Sequence, residues 1–247
     1  MFRAERLLEA MRVAAPYFPV RQTLPDGQMI WRHFGDSHVP RIAEEICNAR
    51  VYESLPGFEP KEGDTVLDIG AHIGIYGLHV ARNVGRNGMY VAVEADPKNF
   101  ALLKRNLKLV EGFRTACVNV ALWSKAGTIV LHRASSGFGG HSVVFERGGE
   151  TIEVEAQTLD GLVKRLNLTR VSLIKMDVEG AALDILRGGR ETLTHMRPKI
   201  TCAAYHTPDE PRNLTDVLRP LNYLVETRDV LHSYTNEPEK YLFAAPR

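Results

Sequence analysis

Four short segments of the 247-residue chain end in side chains able to hold a nucleotide or move a proton. VLDIGAHIGIYG carries Asp68, Gly70 and Gly74 between an apolar run and a helical stretch. Glycines in such a turn let the backbone approach a ligand, and the helix N-terminus behind them favours an anionic group. MYVAVEADP ends in Glu94, close to the offset of roughly 20 residues at which an acid grips a ribose diol. A carboxylate there accepts both hydroxyl protons and repels a 2′-phosphate, so an adenosine ligand fits and NADP does not. Asp96 followed by Pro97 reads as an N-cap with proline in the first helical turn. The nicotinamide fingerprint asks for Gly-x-Gly-x-x-Gly from Gly70. His72 stands at its third position and the next glycine is Gly74, which ranks a nicotinamide-dependent oxidoreductase last.

The other two segments face the chemistry. VSLIKMDVEG delivers Asp177 beside Glu179, and ITCAAYHTPDEP ends with Tyr205 and His206. Strand ends of an open α/β sheet are where ligands bind. Histidine best accepts a proton near neutral pH, so His206 is the first candidate base for an acceptor hydroxyl. Glu179 has a competing role, since acids in the first turn of a helix are favoured by its dipole. His141, inside SSGFGGHSVV, is a second candidate because a glycine-rich tip can fold over a pocket. His79 and His132 pair with nothing at zinc spacing and no HExxH occurs, so no metal is expected, although Asp177, Glu179 and His206 would make a ligand set if they converged.

These residues need a sheet to hold them. Short apolar runs alternate with amphipathic stretches from Thr65 onward, which predicts an α/β fold with a mostly parallel, doubly wound sheet. The strands are expected over Thr65–Ile69, Tyr90–Val93, Thr115–Val118, Val171–Met176 and Ile200–Tyr205, and the helices over Ile75–Val84, Pro97–Val110, Leu159–Leu166, Ala181–Leu193 and Pro211–Leu218. Gly127–Val154 interrupts with strand-like GTIVLHR, HSVVFE and TIEVEA, read as an inserted β-hairpin within about 127–155. NYLVETR and EKYLFAAP are expected to pair antiparallel at the C-terminal edge. Residues 1–60 read as an N-terminal cap preceding a domain at 61–247. The cap holds a helix with Leu7, Leu8, Met11 and Ala15 inward, two extended pieces around Pro25-Asp26-Gly27, and a second helix in DSHVPRIAEEICNARVYES.

In this order, DIGAHIGIYG, VEADPKNFALLKRNL, NVALWSKAG and IKMDVEGAALDILRGG resemble the FkbM-type S-adenosylmethionine-dependent methyltransferases, across about the last three quarters of the chain. The resemblance implies a Rossmann-like class I methyltransferase fold that commonly carries an inserted hairpin. It implies that Asp68, Gly70, Ala71, His72 and Gly74 line the methionine end of S-adenosylmethionine, that Glu94 and Ala95 hold the ribose, and that Asn119, Val120 and Ala121 lie against the adenine. Asp177 and His206 would then be catalytic, with His141, Glu179 and Tyr205 contacting substrate. No Asn/Asp-Pro-Pro-Tyr/Phe motif of amino-methylating enzymes is present, which points to oxygen as the acceptor atom. By the family, that oxygen is a hydroxyl of a sugar, glycolipid or secondary metabolite. One departure stands out: many members carry a Glu shortly before the His of the fifth strand, where this chain has Ala204. A catalytically silent adenosyl-ligand-binding module is the reading that departure favours.

Composition narrows the partners. The chain is 44% apolar and 25% charged, and 31 basic against 30 acidic residues leave +1, no bulk reason to seek nucleic acid or an anionic membrane. The helix KNFALLKRNLKL groups Lys98, Lys104, Arg105 and Lys108, which keeps an RNA methyltransferase as an alternative to a solvated helix face. Cys47, Cys117 and Cys202 form no CxxC pair and read as reduced thiols. No apolar run reaches the roughly 18 residues of a span, and Glu5 and Glu9 break any signal-peptide core, so a cytoplasmic enzyme is expected. A homodimer is compatible with the sequence, though no motif marks an interface.

Overall fold

The computed structural model describes residues 18–112, 114–135, 139–231 and 237–247. The expected helix with Leu7, Leu8, Met11 and Ala15 lies outside the described residues, as does the tip of the glycine-rich loop at 136–138. The described residues open with a hairpin of β1 (Pro19–Thr23) and β2 (Met29–His33), antiparallel with Pro19 opposite His33. Its turn is the expected Pro25-Asp26-Gly27: Gly27 takes φ 83°, and Leu24 N–H donates to Gln28 O at 2.7 Å. The single helix expected next is broken instead. Helix α1 (Val39–Ala43) starts at a proline turn and passes into a wider turn at Glu44–Asn48. Arg50 then adopts φ 49°, a left-handed conformation that ends the helical hydrogen bonding. A tight turn at Val51–Glu53 follows and buries Val51 and Tyr52.

The remainder alternates strand and helix: β3 (Thr65–Ile69), α2 (Ile75–Val84), β4 (Met89–Val93), α3 (Pro97–Leu107), β5 (Thr115–Val118), β6 (Ala121–Leu122), β7 (Gly127–Ala134), β8 (Gly148–Gln157), α4 (Leu159–Arg165), β9 (Leu173–Met176), α5 (Ala182–Arg187), α6 (Arg190–His195), β10 (Lys199–Ala203), α7 (Glu210–Leu218), β11 (Tyr223–Leu231) and β12 (Pro238–Pro246). Seven strands make one sheet in the order β11-β12-β10-β9-β3-β4-β5. The five from β10 to β5 are parallel, and β12 and β11 close the edge antiparallel. This is the doubly wound α/β architecture the apolar alternation predicted.

Side-chain alternation along each strand supplies two cores. Leu67, Ile69, Val91, Val93, Ile174 and Met176 pack on one face. Val66, Tyr90, Ala92 and Leu173 pack on the other, and Ile30, Val39, Ile46 and Tyr52 of the N-terminal segment join that same cluster.

Two local differences from the sequence reading have physical causes. The helix expected over Ala181–Leu193 divides into α5 and α6 at Gly188 and Gly189. There a Cβ would stand 2.4 Å from Trp123 O and from Leu159 Cδ2 respectively, so the glycines admit neighbouring chain where a helix would run on. HSVVFE forms no strand: one bridge, His132 to Ser142, holds it, and the Ser142 hydroxyl accepts the N–H groups of Val144 and Phe145 at 3.0 Å each. The insertion is therefore an antiparallel β7/β8 pair, extended by the short β6 running parallel to β8.

Strand order reverses direction of growth between β3 and β9. That switch point opens a crevice at the carboxyl ends of the strands, and both chemistry-bearing loops flank it.

Candidate active site

A cavity of about 450 Å³ occupies this crevice, within the range of small-molecule sites, walled by the β3, β4 and β9 loops, the insertion and the N-terminal segment. Its floor is drawn tight where the β3 and β9 loops meet. Gly70 has φ 76°, and a Cβ there would fall 1.8 Å from the carbonyl oxygen of Asp177. Only glycine lets these two backbones touch.

One half of the cavity suits a nucleoside. Glu94, 8% exposed, follows β4 directly and accepts the N–H groups of His72 at 2.8 Å and Asp96 at 2.9 Å, one on each oxygen. Burial pushes its carboxyl up to about 8; the charges of Asp96 and Asp68 act the same way, and the two backbone donors oppose the rise. Gly70, Ala71, His72, Ala95, Val120 and Ala121 join Glu94 on the wall, with Val93 and Leu122 extending its apolar part.

Three residues expected against the cofactor are placed elsewhere. Asp68 is fully buried beneath the floor, where Tyr90 OH donates to it and Lys175 Nζ pairs with Oδ1 at 2.9 Å. A residue in the middle of β3 faces the sheet's packing layer, so Lys175 lines the cavity and Asp68 supports it from below. Gly74 begins α2 at φ 93°, and a Cβ there would stand 2.9 Å from Leu103 Cδ1, so it serves the contact between helices. Asn119 is exposed and donates to Glu94 O and Ala95 O at 2.8 and 3.0 Å, holding the β4 loop from outside.

The other half gathers polar groups around Asp177. Its Oδ2 accepts a 2.7 Å hydrogen bond from Tyr52 OH. Glu179, at φ 50°, turns its carboxylate toward Arg147 of the insertion, whose Nη2 lies 2.5 Å from Oε2. Burial raises the Glu179 carboxyl and Asp177 adds to this, while His206, Arg147 and Arg41 pull the other way. Tyr205 lines the cavity with its ring stacked on His206, centroids 4.7 Å apart.

His206 itself does not reach the cavity wall, which corrects the expectation of direct contact with an acceptor. Its Nδ1 stands 3.2 Å from Glu210 Oε2, and Nε2 points at Asp177 Oδ1 and Glu179 Oε2 from 3.9 and 3.7 Å. Burial works against its charged form, yet Glu210, Asp177 and Glu179 together raise the imidazole above its ordinary value. Asp177, Glu179 and Tyr205 are thus the residues expected on the acceptor side that line the cavity.

His141 lines the cavity, as its place in the glycine-rich loop suggested. Its Nδ1 accepts the N–H of Ala134 at 3.0 Å, and Nε2 lies 3.9 Å from Asp96 Oδ2. Burial lowers it to about 4, so the ring is neutral. Tyr52, Arg147, Lys175 and Glu210 escaped the sequence reading. A lysine inside the apolar strand LIKM was a visible anomaly that called for a buried partner; Tyr52 and Arg147 reach the site from distant segments that no local pattern links to it. Of the basic residues on α3, Arg105 packs over Trp31 at 3.3 Å and Lys104 over Phe100 at 5.2 Å. No helix among the described residues is long and apolar enough to cross a membrane.

The donor set fits S-adenosylmethionine: a buried carboxylate for a ribose diol, apolar side chains for a base, and a glycine turn that opens a helix. Comparison with known proteins agrees. Residues 68–237 match the family model described as the methyltransferase FkbM domain. The chain is 28% identical over 154 residues to methyltransferase sdnD of Sordaria araneosa, covering 50% of this chain and 59% of that protein. It is 26% identical over 173 residues to the 2-O-methyltransferase NoeI of Sinorhizobium fredii (strain NBRC 101917 / NGR234), covering 63% and 70%. Among solved structures, methyltransferase FkbM from Methylobacillus flagellatus KT superposes with a TM-score of 0.56 at 18% identity, over 78% of this chain and 47% of that one. The chain therefore spans less than two thirds of sdnD and under half of the Methylobacillus protein. The fold is the Rossmann-like fold of class I S-adenosylmethionine-dependent methyltransferases.

Proposed function

The chain belongs to the FkbM methyltransferase family, and from that premise we propose that it methylates a hydroxyl oxygen of a small-molecule or glycan acceptor, using S-adenosylmethionine. The observation that carries this reading is one cavity with Glu94 on its nucleoside side and Asp177 on the other. A sugar, glycolipid or secondary-metabolite hydroxyl is the acceptor class favoured; the similarity to a 2-O-methyltransferase supports oxygen.

Bound in the cavity, S-adenosylmethionine supplies a sulfonium methyl, whose transfer forms an O–C bond, breaks an S–C bond and frees one proton from the acceptor. Glu94 and the Val120–Leu122 wall would hold the nucleoside, and the turn from Gly70 to His72 the methionine end. Asp177, oriented by Tyr52, would hold the acceptor hydroxyl and take its proton. His206 is a positioning residue in this scheme: Glu210 fixes its ring, and Nε2 faces the two carboxylates in front of it. Tyr205, the insertion and the described part of the N-terminal cap, residues 18–60, would shape the acceptor pocket and exclude water.

Calorimetric titration with S-adenosylhomocysteine, with NADH as control and Glu94→Ala alongside, tests the cofactor. Binding lost in the variant supports the reading; no binding to the wild type sinks it. The silent-module alternative draws on Ala204, but Glu210 supplies His206 with the carboxylate that Ala204 does not. Cofactor binding without transfer to any member of a broad acceptor panel would favour that alternative.

A further inference from the structure

An imidazole nitrogen facing two carboxylates needs a positive charge between them, supplied either by a proton on the ring or by a bound cation. His206 Nε2 lies 3.9 Å from Asp177 Oδ1 and 3.7 Å from Glu179 Oε2, both too long for hydrogen bonds. Nε2 is buried and has no hydrogen-bond partner among the described residues, on a side chain 5% exposed. The other ring nitrogen is engaged: Glu210 Oε2 stands 3.2 Å from Nδ1 and also accepts the His206 backbone N–H at 2.9 Å. A carboxylate at Nδ1 keeps the ring hydrogen there and leaves Nε2 as a donor of its lone pair. Metal-binding histidines are held in this way.

We propose that Asp177, Glu179 and His206 bind a divalent first-row cation, and that this cation holds the acceptor hydroxyl. One ligand atom from each residue lies within 4.8 Å of the other two. Ligands on a cation with bonds of about 2.0–2.2 Å stand roughly 3–3.5 Å apart, so the two His206 separations of 3.9 and 3.7 Å close by under about an ångström and the widest pair, within 4.8 Å, by up to roughly 1.3–1.8 Å through side-chain rotation. Two carboxylate oxygens and one imidazole suit Mn²⁺, Fe²⁺ or Zn²⁺, and the remaining positions open toward the cavity that Asp177 and Glu179 line. Arg147 Nη2, 2.5 Å from Glu179 Oε2, competes for that oxygen, so ion binding displaces it or uses Oε1.

The catalytic part of this proposal rests on the methyl-transfer reading. With the cation bound, Asp177 acts as its ligand and water in the cavity replaces Asp177 as the group that takes the proton of the hydroxyl on the cation; the oxygen forms its bond to carbon as the sulfur–carbon bond of the donor breaks. Binding of the ion does not depend on that reading.

The test is titration of the full, chelator-stripped protein with Mn²⁺, read by loss of the free-ion electron paramagnetic resonance signal, with S-adenosylhomocysteine titrated in parallel. One Mn²⁺ per chain is expected. Affinity should fall at least about tenfold in Glu179→Gln and about 10–100-fold in Glu210→Gln, while S-adenosylhomocysteine affinity stays within about twofold as evidence of folding. Nitrogen modulation in the pulsed spectrum of bound Mn²⁺ should disappear in His206→Gln. The proposal is overturned if neither Mn²⁺ nor Zn²⁺ saturates at millimolar concentration, or if binding is unchanged in Asp177→Asn with Glu179→Gln; an imidazolium paired with two carboxylates is then the account. Mn²⁺ binding without S-adenosylhomocysteine binding would sink the methyl-transfer reading and leave the cation site standing.

Discussion

The hydroxyl of Tyr52 donates to Asp177 Oδ2 across 2.7 Å, a bond between residues 125 positions apart that ties the N-terminal segment to the end of β9. The Tyr52 ring is wedged edge-on between Tyr76 and Tyr241, with centroids 5.8 and 5.5 Å away, so the hydroxyl has little freedom to point elsewhere. Tyr52→Phe keeps the packing and removes the donor. A hydrogen bond to a carboxylate is worth about 1.5–3 kcal/mol, and Asp177 has partial access to water, so a loss near about 1 kcal/mol is expected. It should appear as a modest fall in kcat at unchanged KM for the donor. A fall in donor affinity instead would show that Tyr52 serves the nucleoside half.

Separation of the two halves of the cavity gives the next prediction. Asp177→Asn should lower kcat by about 10²–10⁴-fold, the usual contribution of a positioned base, and leave S-adenosylhomocysteine affinity within a small factor. Glu94→Ala should do the reverse, weakening the ligand by about 10–100-fold through loss of a charge-assisted pair of hydrogen bonds. Steady-state kinetics and calorimetry on the same two variants check this. Equal effects on both quantities in both variants would show that the cavity is not divided as described.

Asp68 provides a test of support against contact. It is buried with Lys175 Nζ at 2.9 Å, and Lys175 also donates to Gly70 O at 3.2 Å. Removing one partner of a buried pair leaves an uncompensated charge, at about 3–5 kcal/mol. Asp68→Ala should therefore lower the unfolding midpoint sharply in the absence of any ligand, and adding Lys175→Met should recover part of the loss. A variant of unchanged stability with only weakened nucleotide binding would restore Asp68 to the cavity wall.

The sheet was legible because each parallel strand is buried on both faces and so reads as a short apolar run, as in TVLDI, MYVAV and LIKM. The loops after β3, β4 and β9 were legible for a related reason: glycine and acid at a strand end have few uses other than a ligand. Depth was not. Asp68 and Asp177 are both acids of this kind, and only the pleat decides that one faces the packing layer while the other, beyond the last strand residue, faces the cavity. Likewise His206 was placed at the right edge but one layer too far forward, because the stacked Tyr205 and the reach of Glu210 from α7 belong to tertiary packing. HSVVFE carries β-branched residues in a strand-like order, yet its backbone is taken up by the Ser142 hydroxyl.

Gly70 is the strictest backbone requirement in the site. Alanine there would combine a left-handed φ of 76° with a Cβ 1.8 Å from the Asp177 carbonyl oxygen, and neither backbone has room to yield. Gly70→Ala should separate the β3 and β9 loops, lowering both S-adenosylhomocysteine affinity and the unfolding midpoint. Gly27→Ala is the control: its φ is also positive, at 83°, but a Cβ would meet nothing within 4 Å, so only the conformational cost of roughly 1 kcal/mol is expected. Similar losses at the two positions would mean that φ alone, and not the contact between loops, makes Gly70 necessary.

Glu94 makes binding depend on pH with a definite sign. Its carboxyl is raised from 4.5 to about 8, chiefly by burial, so without ligand it carries a proton at pH 6 and loses it above pH 8. A ribose diol donates two hydrogens and prefers the ionised form. S-adenosylhomocysteine affinity should therefore rise with pH and level off above about 8, by at most about 100-fold between pH 6 and 9 if only the ionised form binds. Binding at pH 7 should release close to one proton, seen as a dependence of calorimetric enthalpy on buffer. Stability runs the other way. A carboxyl raised in the folded state contributes fully below 4.5, where both states are protonated, and this contribution is lost as pH rises through 8. The unfolding midpoint of the ligand-free protein should fall over that interval, and Glu94→Gln should flatten the fall. Affinity independent of pH from 6 to 9, with no proton released, would mean that Glu94 is already ionised by its two backbone donors and that burial does not control it.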